Sequence, residues 1–146
     1  MKVVPLTDRH ALEIATWRYE FPYEWYDTSA DPRRIQLLAD QRRREGLRAI
    51  VDDETEELVG FFNFVREGDE VRVGLGMRPD LTGRGLAQPF IEAGLDYARA
   101  EWRPKRFRLW VARWNERALR AYRRAGFREA PPRDEQSRFV EMERPA

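Results

Sequence analysis

Residues 73–90, VGLGMRPDLTGRGLAQPF, constrain the fold more than any other stretch of this chain. They describe a β-strand that runs through a glycine-rich turn into a helix. Val71, Val73, Leu75 and Met77 alternate with polar or small residues at strand period. Gly83 and Gly85 then break the pattern, and the missing Cβ at each lets the main chain approach a phosphate closely. A helix starting beside them presents unpaired N–H groups and the positive end of its dipole to an anion. The spacing fits neither common nucleotide fingerprint, because the Gly-Lys-Ser/Thr of a P-loop is absent and Gly83, Gly85 and Ala87 do not follow the dinucleotide pattern. Two readings stay open on these residues: a site for a diphosphate of another kind, and a plain connection whose glycines only shape the turn. Pro89 adds a local constraint, since it lacks the N–H that would bond to the carbonyl near Gly85; regular helix starts just before it or kinks there.

The rest of the chain alternates around this segment. Lys2 to Leu6 is predicted as a strand and Asp8 to Trp17 as a helix capped by Thr7 or Asp8. Asp31 followed by Pro32 starts a second helix, drawn to Arg44 and ending before Gly46. Leu47 to Asp52, Leu58 to Glu67 and Glu70 to Met77 are predicted strands, the first two joined by an acidic turn and the last two by Gly68-Asp69. The helix after the glycine loop reaches about Glu101, Arg106 to Val111 is a strand, and Glu116 to Ala125 is a helix that Gly126 terminates. Phe127 to Ala130 and Ser137 to Glu143 close the sheet as a hairpin across Pro131-Pro132. The expected architecture is α/β (α+β): a mixed, mostly antiparallel sheet of six to seven strands with helices on both faces. At 146 residues without repeats or a low-complexity linker, residues 1–146 are expected to form one domain.

What the chain lacks narrows its chemistry. It has no cysteine, which removes a thiol nucleophile, a zinc knuckle and any disulfide framework. One histidine, His10, is too few for a multi-histidine metal site, and its place in the first helix makes it a surface or packing residue. No metal is expected. No apolar run approaches the ~20 residues of a membrane span, and the first residues lack the apolar core of a signal peptide; a cytoplasmic protein without a membrane partner is expected. The net charge of +1 argues against nucleic acid, although residues 99–128 hold eleven basic side chains and only two acidic ones, Glu101 and Glu116. That segment faces a polyanion or, for most of its arginines, simply solvent.

The loop Thr82-Gly83-Arg84-Gly85-Leu86-Ala87 resembles the Gln/Arg-x-x-Gly-x-Gly/Ala signature of the GNAT superfamily of acetyl-coenzyme A dependent N-acetyltransferases, with Thr82 where the family usually has Gln or Arg. A second block is similar to the family's other binding segment: Val111-Ala112-Arg113-Trp114-Asn115, then Ala118, Tyr122 and Gly126-Phe127. Together the two blocks cover about half of the chain. The resemblance implies a single GNAT-like domain in which acetyl-coenzyme A lies where strand Glu70 to Met77 splays from strand Arg106 to Val111. It places the pantetheine arm on backbone at Leu75, Gly76 and Met77, and the pyrophosphate on Thr82, Gly83, Arg84, Gly85, Leu86 and Ala87. Asn115 caps the following helix and contacts the pantetheine arm, and an amide near Met77 receives the oxyanion.

Direct attack by an amine on the thioester needs no protein nucleophile, in keeping with the absent cysteine. It does need proton management. A lysine-like amine of pKa ~10.4 costs about 4 to 5 kcal/mol to deprotonate at neutral pH, so a base is expected, directly or through water. The family's glutamate at the start of the fourth strand corresponds to Glu70, and its thiolate-side hydroxyl to Tyr122. Acceptor recognition falls to Trp17, Tyr19, Phe21, Tyr23, Trp25 and Tyr26, interleaved with Glu20, Glu24 and Asp27. Such a lining suits a cationic amine, small molecule or peptide; the alternative is that these rings pack the core, favoured for Trp17 and Tyr19. A homodimer is compatible with this reading. Two rivals remain: a non-catalytic acyl-coenzyme A sensor, and a nucleic-acid module built on residues 99–128.

Overall fold

The computed structural model describes residues 1–40, 43–131 and 137–146. Its sheet has seven strands, β1 (Lys2–Pro5), β2 (Leu47–Val51), β3 (Leu58–Glu67), β4 (Glu70–Met77), β5 (Arg106–Ala112), β6 (Arg128–Glu129) and β7 (Phe139–Pro145). Their order is β1-β2-β3-β4-β5-β7-β6. Pairing is antiparallel between β1 and β2, β2 and β3, β5 and β7, and β6 and β7, and parallel between β4 and β5. Four α-helices accompany it: α1 (Asp8–Thr16), α2 (Pro32–Ala39), α3 (Ala87–Trp102) and α4 (Glu116–Arg124). The chain gathers into two compact units, residues 1–63 with 75–86, and residues 64–74 with 87–146.

In the first unit α1 and α2 bury Ala11, Ile14, Trp17 and Leu38 in one cluster with Leu47, Ala49, Val51 and Leu58. Trp17 is core, as expected, and its ring stacks on Phe61 with centroids 6.2 Å apart. Thr7 is the N-cap of α1, and the partner in its capping box is the lone histidine: His10 N–H donates to Thr7 Oγ1 at 3.2 Å, and Thr7 N–H donates to His10 Nδ1 at 3.1 Å. Asp31 caps α2 through Arg33 N–H at 2.9 Å, with Pro32 in the first turn. The helix ends at Ala39 rather than near Arg44, because Asp40 takes an extended conformation. A carboxylate there opposes the helix dipole. Residues 41 and 42 of the expected helix lie outside the described residues.

In the second unit β4, β5 and β7 each show one face to a buried layer. Val71 and Val73 of β4, Phe107, Leu109 and Val111 of β5, and Val140 and Met142 of β7 are all buried. So are Phe90, Ile91, Leu95 and Ala98 along α3. Phe64 packs between Tyr97 and Trp102, at centroid distances of 5.8 and 5.4 Å. The alternate positions are charged: Arg108 bonds Glu141 at 3.2 Å and Glu143 at 3.0 Å, and Arg106 bonds Glu143 at 3.2 Å. Pro89 falls in the first turn of α3, where its missing N–H leaves nothing unpaired, so the helix begins before it. The last hairpin is shorter at its start than expected, since Phe127 is buried and the register with β7 runs over Arg128 and Glu129, with Ala130 N–H adding a bond to Glu141 O at 2.9 Å. Pro132 lies outside the described residues. Among the described residues no helix is long and apolar enough to cross a membrane.

Two expectations follow. Burial holds the His10 imidazole below its ordinary value, with Glu13 opposing the shift. The folded value therefore lies below the unfolded ~6.5, and the capping contribution is whole above that pH and lost as pH falls through the folded value. The stability difference between wild type and His10→Gln, read by urea denaturation, should narrow between pH 7.5 and pH 5. At the other end of the chain Asn115 Oδ1 accepts from Ala118 N–H at 3.1 Å and caps α4. Asn115→Ala should cost about 1 kcal/mol, and Asn115→Ser should restore most of it.

Candidate active site

The turn that follows β4 is held by hydrogen bonds of Arg78, Asp80 and Thr82. Arg78 N–H donates to Val59 O at 2.8 Å, its Nη1 reaches Leu58 O at 2.8 Å, and its Nε and Nη2 clasp Asp80 at 2.6 and 3.2 Å. Hydrogen bonding to Arg78 holds the Asp80 carboxyl below the usual carboxylate range. Thr82, the departure from the Gln/Arg of the sequence signature, directs both its hydroxyl (2.7 Å) and its amide (3.3 Å) to Pro79 O. Its role is to close the turn Pro79–Leu81.

Beyond Thr82 the backbone changes character. Gly83 and Gly85 have φ of +75° and +76°, left-handed conformations that a side chain strains. A Cβ at either would meet nothing within 4 Å. These glycines are therefore required by the backbone path and not by crowding at the Cβ position. Among the described residues the amides of Gly83, Arg84, Gly85 and Leu86 donate to no protein acceptor. Arg84, between the two glycines, is exposed. A run of backbone N–H groups without protein acceptors beside one guanidinium is an arrangement that binds phosphate oxygens.

Gly76 has a different reason. A Cβ there would lie 2.6 Å from Phe61 Cε1, so the ring stacked on Trp17 fills the place of a side chain on β4. One residue on, the Met77 carbonyl accepts from the Tyr19 hydroxyl at 2.6 Å, across 58 residues of sequence. Sequence reasoning placed Tyr19 in the core or in the acceptor wall and did not foresee this bond. A tyrosine–carbonyl pair at that separation leaves no periodicity or motif.

The second unit holds the other expected residues. Asn115 is buried at the start of α4, and Tyr122 is half-buried near its end, edge-on to Phe127 with centroids 6.0 Å apart. Two side chains fix that end of the helix: Gln88, from the first turn of α3, donates to Ala121 O at 3.0 Å, and Arg144 donates to Ala125 O at 2.5 Å. Neither was anticipated. Glu70 stands where β4 first pairs with β5, and its Oε2 accepts from Arg108 Nε while Arg106 lies 3.9 Å from Oε1. The pairs between these strands are Glu70↔Arg106, Val71↔Phe107 and Arg72↔Arg108; Val73 and Gly74 on β4 and the rest of β5 lie beyond the last pair. Thus Leu75, Gly76, Met77 and the loop Thr82–Leu86 belong to one unit, and Glu70, Ala87, Asn115 and Tyr122 to the other.

Solved structures share this fold. A chimera of the spermidine N-acetyltransferase SpeG from Vibrio cholerae with hSSAT superposes with a TM-score of 0.75 at 20% identity, covering 99% of this chain and 96% of that one. The acetyltransferase (GNAT family) from Bacillus anthracis gives 0.73 at 13% identity, over 97% and 90%. The Campylobacter jejuni N-acetyltransferase PseH, in complex with acetyl coenzyme A, gives 0.68 at 19% identity, over 99% and 97%. Residues 11–127 match the model of the acetyltransferase (GNAT) family, the family to which this chain belongs, and the protein is an N-acetyltransferase.

Proposed function

We propose that residues 1–146 work as one domain that moves an acetyl group from acetyl-coenzyme A to an amine acceptor by direct attack within a ternary complex. The observation that carries this reading is the glycine loop, whose four consecutive amides donate to no acceptor among the described residues, in a chain of this family. Pyrophosphate oxygens take the amides of Gly83 to Leu86 and of the adjoining Ala87, with Arg84 supplying positive charge; Thr82 contributes by shaping the turn. The pantetheine arm bonds backbone at Leu75, Gly76 and Met77, and Asn115 adds a contact to its capping role. The Met77 amide receives the oxygen of the thioester as negative charge develops there.

The amine must arrive neutral. Glu70, or a water relay, takes its proton, and the Arg108 ion pair that already occupies Glu70 favours the relay. After attack, the tetrahedral intermediate collapses with cleavage of the C–S bond. The Tyr122 hydroxyl hydrogen-bonds the departing thiolate; with an ordinary phenol pKa of ~10 against ~8.5 for a thiol, bonding is easier than full proton transfer. For the acceptor we propose a cationic amine. Phe21 and Trp25 are exposed beside the exposed carboxylates of Glu20 and Glu24, and Trp25 already takes a cation, the Arg34 guanidinium 4.8 Å from its centroid. The SpeG neighbours are spermidine N-acetyltransferases, which supports an acceptor among polyamines, amino sugars and peptide amines. A cytoplasmic location and a homodimer belong to the same proposal.

Isothermal titration with acetyl-coenzyme A tests the reading first. Micromolar binding by wild type, lost in a Gly85→Glu variant that remains folded by circular dichroism, is expected; no binding by wild type would overturn it. Tyr122→Phe separates an enzyme from a non-catalytic acyl-coenzyme A sensor. Turnover should fall about 10- to 100-fold with coenzyme affinity unchanged, whereas a sensor would show no turnover to lose.

A further inference from the structure

The peptide joining Met77 to Arg78 is held from both sides. Its N–H donates to Val59 O of β3 at 2.8 Å, and its carbonyl accepts from the Tyr19 hydroxyl at 2.6 Å. A trans peptide points these two groups in opposite directions, so Tyr19 sits on the edge of β4 that faces away from β3. Along a strand the N–H and C=O of one residue share an edge. The Met77 N–H, which the proposed function assigns to the thioester oxygen, therefore lies on the same edge as the Tyr19 bond.

The other end of Tyr19 is anchored as firmly. Its amide donates to Asp27 Oδ1 at 2.8 Å, and Asp27 is 8% exposed. Arg34 Nη1 spans Trp25 O at 2.6 Å and Asp27 O at 3.1 Å, so the aromatic and acidic segment is folded around one buried carboxylate. A second contact repeats the connection: Trp17 stacks on Phe61, whose ring fills the Cβ position of Gly76. The segment expected to receive the amine and the strand end expected to receive the thioester are one mechanical piece, joined at residues 17, 19 and 27.

We infer that Tyr19 is a positioning residue for acetyl transfer, its hydroxyl coupling the donor-binding end of β4 to the acceptor segment 17–31. This rests on the proposed function above, because it takes Met77 as part of the donor site. Loss of the hydroxyl would leave donor binding intact and release the acceptor segment from it.

Hydrogen–deuterium exchange with and without acetyl-coenzyme A reads this coupling without knowledge of the acceptor. In wild type, the coenzyme should slow exchange in peptides covering 75–87 and also in those covering 17–31. In Tyr19→Phe the first protection and the calorimetric affinity should stay within twofold, while protection of 17–31 falls at least threefold. Asp27→Asn, which keeps an oxygen at the same place, should behave as wild type, and Asp27→Ala as Tyr19→Phe. Equal protection of 17–31 in wild type and Tyr19→Phe, or its absence in a wild type that protects 75–87, overturns the coupling alone. A wild type that protects neither region overturns the proposed function with it.

Discussion

The bend at Arg78 is the constraint on which the first unit's chemistry depends. A strand end that leads into a short glycine turn holds its path only where its last peptide is fixed by bonds outside the turn. Here the pin has four parts: Arg78 N–H on Val59, Arg78 Nη1 on Leu58, the fork onto Asp80, and Tyr19 on the Met77 carbonyl. Thr82 then doubles back on Pro79. Only past these fixed points does the chain enter the left-handed conformations of Gly83 and Gly85. Loop amides that have no acceptor of their own are costly to order, and anchoring on both sides of a short turn reduces the entropy a ligand must remove.

Much of this was legible in the sequence, and what escaped has a common cause. Strand β4 follows from its alternation and β3 from its place between two turn signals, and their bounds agree with those drawn from Leu58 to Glu67 and from Glu70 to Met77. The caps at Asp31 and Asn115 follow from short polar side chains placed just before helical periodicity. Helix α2 was overdrawn because periodicity continues through Asp40, while the electrostatics of a carboxylate at a helix C-terminus does not register in an apolar pattern. The roles of Tyr19, Gln88, Arg144 and His10 were missed for a single reason. Each bonds a backbone group, an N–H for His10 and a carbonyl for the other three, and backbone groups have no letter in a sequence.

The arginine-rich segment shows how composition misleads when it is taken without geometry. Residues 99–128 look like a polyanion surface, yet Arg99 pairs with Asp96, Arg106 with Glu143, Arg108 with Glu70, Glu141 and Glu143, and Arg123 with Glu129. Arg113 donates to Ser137 O. Most of the acids lie outside the basic segment, on β4, on α3 before Arg99, and on β6 and β7. A windowed charge count separates the partners that the sheet brings together. The cluster on β4, β5 and β7 is half-buried and alternates in sign across the strands, so it serves register and sheet packing.

That cluster also bears on the chemistry of proton removal. Glu70 was nominated because it opens the fourth strand, and it does stand there, but it stands inside a salt-bridge network with two arginines. A carboxylate in that setting already has its oxygens engaged, so an amine would have to displace Arg108 to reach them directly. The contacts that order the start of the β4–β5 pairing therefore compete with any direct contact between Glu70 and an amine. On the function proposed above, a water relay avoids this competition because it leaves the Arg108 contact in place. An amine whose own pKa lies nearer 8 avoids most of it as well, because only about 1 kcal/mol separates its ammonium from the reactive form at neutral pH.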